Sequence, residues 1–141
     1  MFLGRAIHTL DEKGRVVMPS SYRAELKDGL VATQSMDGAI TVLPVATFRE
    51  KARELTEAPR TREQRRLQRG MFTNAEELKL DSQGRILLSS DLRKYAGIDG
   101  LSEVRIAGML EYIEIWHPDR FEEEDQQVNR QYRDDEEAPG F

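Results

Sequence analysis

The apolar and polar positions divide the chain into short segments of changing period. Residues 1–10 suggest an opening strand, and Val16 to Met18 form a short apolar run that reads as a buried strand closed by Pro19. Ser20 to Lys27 predicts a helix of about two turns, with Tyr22 and Leu26 on one face and Gly29 as its stop. Leu30 to Gln34 and Ala39 to Leu43 are β-rich runs separated by Ser35-Met36-Asp37-Gly38, a hairpin signal, and Pro44 ends the second. Val45 to Glu57 has Val45, Phe48, Ala52 and Leu55 at helical spacing, Ala58-Pro59 breaks the pattern, and Thr61 to Phe72 predicts a second helix. A strand over Glu76 to Leu80 follows, then a strand over Ile86 to Leu88 and a short helix stopped by Gly97. A second hairpin runs from Glu103 to Ala107 and Tyr112 to Trp116 around Gly108-Met109. Residues 121–133 read as a helix, and Asp134 to Phe141 have the composition of a disordered end.

The second half repeats the first. Leu10-Asp11-Glu12-Lys13-Gly14-Arg15-Val16-Val17-Met18-Pro19-Ser20-Ser21-Tyr22-Arg23 returns as Leu80-Asp81-Ser82-Gln83-Gly84-Arg85-Ile86-Leu87-Leu88-Ser89-Ser90-Asp91-Leu92-Arg93, with six of fourteen positions identical. Three further positions pair apolar with apolar. Ile40-Thr41-Val42-Leu43-Pro44 recurs as Ile113-Glu114-Ile115-Trp116 followed by Pro118, and Phe48 matches Phe121, the register slipping from 70 to 73 residues. This period exceeds that of a solenoid unit, so the chain reads as two copies of one small domain. A copy of about 45 residues has little core of its own, and the halves must pack on each other or on other chains.

Each repeat opens with Asp-x-x-Gly-Arg. The Asp side chain can accept from backbone N–H groups two residues on, Gly supplies a positive φ, and Ser20 or Ser90 is placed to cap the helix that follows. The turn sets Arg15 or Arg85 at the edge of a strand. A planar, permanently charged group with five donors suits phosphate or a guanine edge; the same Arg could instead only pair with Asp11 or Asp81.

Charge changes the picture through its location. The net charge of −5 is concentrated in residues 119–141, with nine acids against three bases, which leaves residues 1–118 at +1. The total therefore neither excludes DNA nor argues for it. Arg60, Arg62, Arg65, Arg66 and Arg69, against Glu63 alone, form the most basic stretch. It reads as a phosphate-contacting face or, more simply, as a solvated linker helix or one paired with acids of a neighbouring subunit. There is no cysteine, and His8 and His117 fall in different copies, so no metal or cofactor is expected. No apolar run approaches a membrane span and no signal pattern opens the chain, so a cytoplasmic protein is expected. Acid pairs such as Asp11/Glu12 and Glu76/Glu77 are adjacent, and neighbours on a strand point to opposite faces. With no nucleophile, base and orienter set, an enzyme is not expected.

Met1-Phe2-Leu3-Gly4, the two D-x-x-G-R turns seventy residues apart, and Tyr112-Ile113-Glu114-Ile115-Trp116 together resemble the MraZ family of bacterial transcriptional regulators, over nearly the whole chain to about residue 120. The resemblance implies an α+β, mainly β fold. Two tandem SpoVT–AbrB-type swapped-hairpin units (residues 5–47 and 76–119) would intertwine into one pseudo-two-fold β-barrel with short helices outside. A helical linker (48–75) would join them and an acidic helix and tail (120–141), partly disordered, would follow. It further implies a ring-shaped homo-oligomer, nucleoid-associated, that binds double-stranded DNA at G-rich direct repeats. These repeats would lie upstream of the division and cell-wall gene cluster that includes the regulator's own gene. Carried over by motif position, the DNA contacts would be Arg15 and Arg85, with Lys13 beside the first, on turns formed by Asp11, Gly14, Asp81 and Gly84. The second copy departs at Gln83, where the first has Lys13, and at Ser89, where the first has Pro19. The alternative is an antitoxin-like or scaffold protein of the same fold, working mainly through protein contacts.

Overall fold

A computed structural model describes residues 1–134; residues 135–141, most of the stretch read above as a disordered end, lie outside the described residues. The elements are β1 (Arg5–Thr9), β2 (Arg15–Val17), a 3-10 turn (Ser20–Tyr22) leading into α1 (Arg23–Leu26), β3 (Leu30–Gln34), β4 (Ile40–Pro44), α2 (Val45–Glu57) and α3 (Arg62–Thr73). Then come β5 (Glu76–Leu78), β6 (Arg85–Leu87), α4 (Ser90–Tyr95), β7 (Glu103–Gly108), β8 (Ile113–Trp116) and α5 (Pro118–Asp134).

Six strands form one antiparallel sheet in the order β1-β7-β8-β4-β3-β5, while β2 and β6 form a separate antiparallel ribbon. The halves exchange partners. β1 of the first half pairs with β7 of the second, and β5 of the second pairs with β3 of the first. In the ribbon Val16 faces its repeat equivalent Ile86, and in the sheet Thr41 faces its equivalent Glu114. A local two-fold relating the halves therefore passes through both pairs.

The expected closed barrel is not formed. β1 and β5 end the sheet on opposite sides, and the ribbon, which would have to complete the closure, pairs within itself; among the described residues it forms no ladder with a sheet strand, and an isolated bridge joins Val16 to Leu10 just past β1. The ribbon instead lies across one face of the sheet as a lid over the core. Alternate sheet residues (Leu30, Ala32, Ile40, Val42, Val104, Ile106, Ile113, Ile115) point at Val16, Met18, Ile86 and Leu88 of the ribbon strands and their ends, with Leu26, Leu92 and Ile98 closing the sides. Each fully buried Leu or Ile contributes about 1.5–3 kcal/mol over the exposed state. Neither half supplies both walls of this core, which is why the copies cannot stand apart.

The opposite face of the sheet carries α2, α3 and α5. Phe48 of α2 meets Phe72 of α3 edge-on at 6.2 Å, and Phe121 of α5 meets Trp116 at 6.0 Å. Thr61 caps α3 in a reciprocal box, accepting from Gln64 N at 3.1 Å while the Gln64 side chain accepts from Thr61 N at 2.9 Å.

The helix caps differ from expectation. Ser20 and Ser90 are already the first helical residues, and the capping positions are Pro19 and Ser89. Ser89 Oγ accepts from Leu92 N at 3.2 Å, and α4 runs six residues. Pro19 has no side-chain acceptor to offer, and the first copy opens with a 3-10 turn before a single α turn.

Candidate nucleic-acid interface

Both Asp-x-x-Gly-Arg turns take the same form. Asp11 Oδ1 accepts from the backbone N–H groups of Lys13 (3.0 Å) and Arg15 (2.9 Å), and its Oδ2 accepts from Arg15 Nε at 2.6 Å. Asp81 does the same with Gln83 N (2.9 Å), Arg85 N (2.9 Å) and Arg85 Nε (2.7 Å). Gly14 and Gly84, at φ +87° and +74°, turn the chain so that the Asp carbonyl accepts from the Gly N–H at 3.0 Å in each. The Arg15 backbone N–H first and its guanidinium after hold the Asp11 carboxyl below the usual aspartate range, and Arg85 does so for Asp81 in the same order.

The arginine–aspartate pairing is thus present in both copies, and it coexists with exposure. In the ribbon Arg15 lies opposite Leu87 and Val17 opposite Arg85. Val16 and Ile86 point into the core, so these four side chains share the outer face. The side chains of Arg15 and Arg85 are 31% and 23% accessible. Among the described residues each guanidinium hydrogen-bonds only through Nε, which leaves both terminal nitrogens at the surface. Lys13 stands exposed at the tip of its turn, as does Gln83 at the tip of the other. The Asp carboxylate fixes the plane of each guanidinium, so less rotamer freedom is lost when it meets a flat acceptor pair. Asp11, Glu12 and Asp81 largely offset the nearby cations, so one copy offers little net field.

Two residues of the interface's support carry no role in the sequence reading although the repeat displays them, namely its closing arginines. Arg23 Nε donates to the Met18 carbonyl at 3.0 Å and Arg93 Nη1 donates to the Leu88 carbonyl. Each guanidinium then lies against the glycine of the other half's turn, Arg93 on Gly14 and Arg23 on Gly84. Arg93 is held further by Asp99 at 3.0 Å. Met18 N also donates to the Gly84 carbonyl at 2.9 Å, and Leu88 N to that of Gly14 at 3.0 Å. Each turn is therefore locked from the opposite half. The identity at position fourteen of the repeat was the available signal.

The basic stretch does not join this surface. α3 packs on β3 through Thr33, whose hydroxyl donates to the Met71 carbonyl. Thr33 lies on the sheet face opposite core residue Ala32. Its arginines therefore sit across the sheet from Arg15 and Arg85. Among the described residues no three His, Cys, Asp or Glu side chains are grouped to hold a metal ion, and no helix is long and apolar enough to cross a membrane.

The family model described as "MraZ protein, putative antitoxin-like" matches the chain twice, over residues 1–70 and 71–139. Similar curated proteins bear the name "Transcriptional regulator MraZ". That of Herpetosiphon aurantiacus is 42% identical over 123 residues, 86% of this chain and 85% of its own. That of Moorella thermoacetica is 39% identical over 133 residues, covering 94% and 92%, and that of a Nocardioides species is 42% identical over 123 residues, covering 86% and 84%. With the model matched along almost its whole length and relatives near 40% identity covering most of both sequences, the chain belongs to the MraZ family.

Proposed function

We propose that the chain is a sequence-specific, DNA-binding transcriptional regulator that acts as a ring of copies on G-rich direct repeats. These repeats lie upstream of the division and cell-wall gene cluster, its own promoter included. The observation that carries the reading is the outer face of the ribbon, where two guanidiniums related by the local two-fold are each braced by a carboxylate and open at their terminal nitrogens. The names of the relatives support the regulatory role, and the family motif supports the choice of Arg15, Arg85 and Lys13 as contacts. The exchange of strands between halves supports reading residues 5–47 and 76–119 as swapped-hairpin units joined by the helical segment 48–75. On this reading the protein works in the cytoplasm at the nucleoid and catalyses no reaction.

Magnitudes explain the ring. A bidentate arginine on a guanine edge discriminates by about 1–3 kcal/mol, too little for one copy to find a site. Linking copies on evenly spaced repeats makes later contacts intramolecular, with gains of about 10²–10⁴. Direct repeats suit head-to-tail subunits as inverted repeats suit a two-fold dimer.

Arg15→Ala and Arg85→Ala, assayed by gel shift and footprinting on the upstream DNA with the assembly mass measured in parallel, test the reading. Loss of repeat-specific binding by Arg15→Ala with an unchanged assembly supports it; unchanged binding removes Arg15 from the interface. The family's description as antitoxin-like favours a second reading as a protein-neutralising module. A wild-type chain that gives no repeat-specific shift would favour that one.

A further inference from the structure

On the sheet face away from Arg15 and Arg85, the α2–α3 hairpin and the strands enclose an open groove of about 920 Å³. Clefts that hold small molecules run to about 300–1,000 Å³. The walls are largely apolar, with Phe48 and Leu55 from α2, Leu67 and Met71 from α3, and Met36 from the β3–β4 turn. Met36, Leu55 and Leu67 are exposed, so no described residue covers this surface.

Glu114 lies on its floor. Ile113 and Ile115 point into the core, so Glu114 of β8 faces the other side of the sheet, opposite Thr41 of β4. The residue is only 9% accessible. Its Oε1 accepts from Trp116 Nε1 at 3.3 Å, and among the described residues nothing donates to Oε2. No buried side-chain oxygen among the described residues is both sealed off and unpaired, so Oε2 opens on the groove. The repeat itself needs no carboxylate here, because the first half has Thr41 at the equivalent position.

No cation of the described residues answers this carboxylate. Lys51, also on the lining, is tied to Glu111 at 2.7 Å, and Arg60 donates to the Gln68 side chain. Arg66 is exposed and stands two residues before the inward-facing Gln68, hence on the far side of α3. Asp37 and Glu54 add two more acids to the lining. Burial pushes the Glu114 carboxyl above its ordinary range; the Trp116 hydrogen bond opposes this, and the charges of Asp37 and Glu124 add to it. A buried charge is costly unless it is paired or fully hydrogen-bonded. Tyr112, two residues before Glu114 and on the same lining, supplies an aromatic ring of the kind that attracts ammonium groups.

We infer that this groove is a binding site for a small organic ammonium, whose charged head meets Glu114 Oε2 and whose apolar body lies between α2 and α3. An anion would face Glu114, Asp37 and Glu54 together, and a purely apolar ligand would leave Oε2 without a partner. The site lies across the sheet from the ribbon, and the inference does not rest on the DNA reading.

Titration of the full-length protein with n-octylammonium, n-octanol and octanoate tests it. Trp116 is the only tryptophan of the chain, and its indole donates to the carboxylate concerned, so its emission reports the head group. The wild type should give a saturable change with n-octylammonium, at least about tenfold tighter than with n-octanol, because the hydrogen bond is made to a charged group. Octanoate should give none. Glu114→Gln keeps the size and an acceptor for Trp116 but removes the charge, and the preference for ammonium over alcohol should vanish. Leu67→Lys, at an exposed position on the wall, sets a like charge beside the ligand and should weaken n-octylammonium more than n-octanol. Circular dichroism checks that both variants stay folded. No saturable change with n-octylammonium, equal binding of ammonium and alcohol by the wild type, or a preference that survives Glu114→Gln overturns the inference.

Discussion

Gly14→Ala probes the lock between the halves, and its cost separates into two parts. At φ +87° an L-residue occupies the left-handed region, at about 1–2 kcal/mol. The added Cβ would also lie 2.7 Å from Arg93 Cζ. Arg93 cannot swing aside freely, because it donates to the Leu88 carbonyl and to Asp99 at 3.0 Å. Giving up a charged hydrogen bond to the backbone adds about 1–2 kcal/mol. The sum, about 2–4 kcal/mol, corresponds to a Tm lower by roughly 6–16 °C for a chain of this size. Urea unfolding at fixed protein concentration, which holds any contribution of assembly constant, reads it directly. The decisive measurement is the cycle with Arg93→Ala. In that background Gly14→Ala should cost only about 1–2 kcal/mol, an interaction energy of about 1–2 kcal/mol between residues of different halves. Gly4→Ala serves as control, because φ there is +84° and nothing lies within 4 Å of its Cβ position. If Gly14→Ala costs the same with and without Arg93, or no more than Gly4→Ala, the cross-half lock does not exist.

Ser89→Ala should destabilise by about 1 kcal/mol through loss of the α4 cap, whereas Ser20→Ala and Ser90→Ala should stay within about 0.5 kcal/mol; thermal melts distinguish them. Burial pushes the Glu114 carboxyl above its ordinary range; among the described residues only Trp116 Nε1 donates to it, at 3.3 Å. A carboxyl raised in the fold stabilises most when protonated, and that stability is lost as pH rises through its folded value. Glu114→Gln should therefore raise stability at neutral pH by about 1 kcal/mol and change it little in acid; equal gains at both pH values would refute this. Asp11 and Asp81 run the other way. Their depressed values stabilise the turns above the ordinary aspartate range, and that support is lost as pH falls through the folded values. Urea midpoints followed into acid should fall less steeply in Asp11→Asn/Asp81→Asn than in the wild type.

Much of the fold was legible because it is written locally. Pro44 and Ala58-Pro59 bound α2 at the residues expected, and Asp37-Gly38 turns the first hairpin with Gly38 at φ +78°. The Asp-x-x-Gly-Arg turns follow from bonds spanning four residues, so their geometry could be read from either copy alone. The cap was misplaced by one residue because Ser20 and Ser90 match across the copies whereas the functioning cap, Ser89, is matched by a proline. Repetition marked shared residues, and the cap is one of the places where the copies diverge.

By itself the sequence determined that there are two copies, where each copy bends, and which guanidinium each bend presents. Periodicity, proline and glycine act over a few residues, and a duplicated motif needs no coordinates to be recognised. The tertiary structure decided how the copies combine: β1 on β7, β5 on β3, a ribbon lid in place of a closed barrel, and Arg23 and Arg93 reaching across to the opposite turn. Those pairings join residues 44 to 102 positions apart, where no local propensity discriminates between partners. The choice is made by which arrangement buries both apolar walls at once.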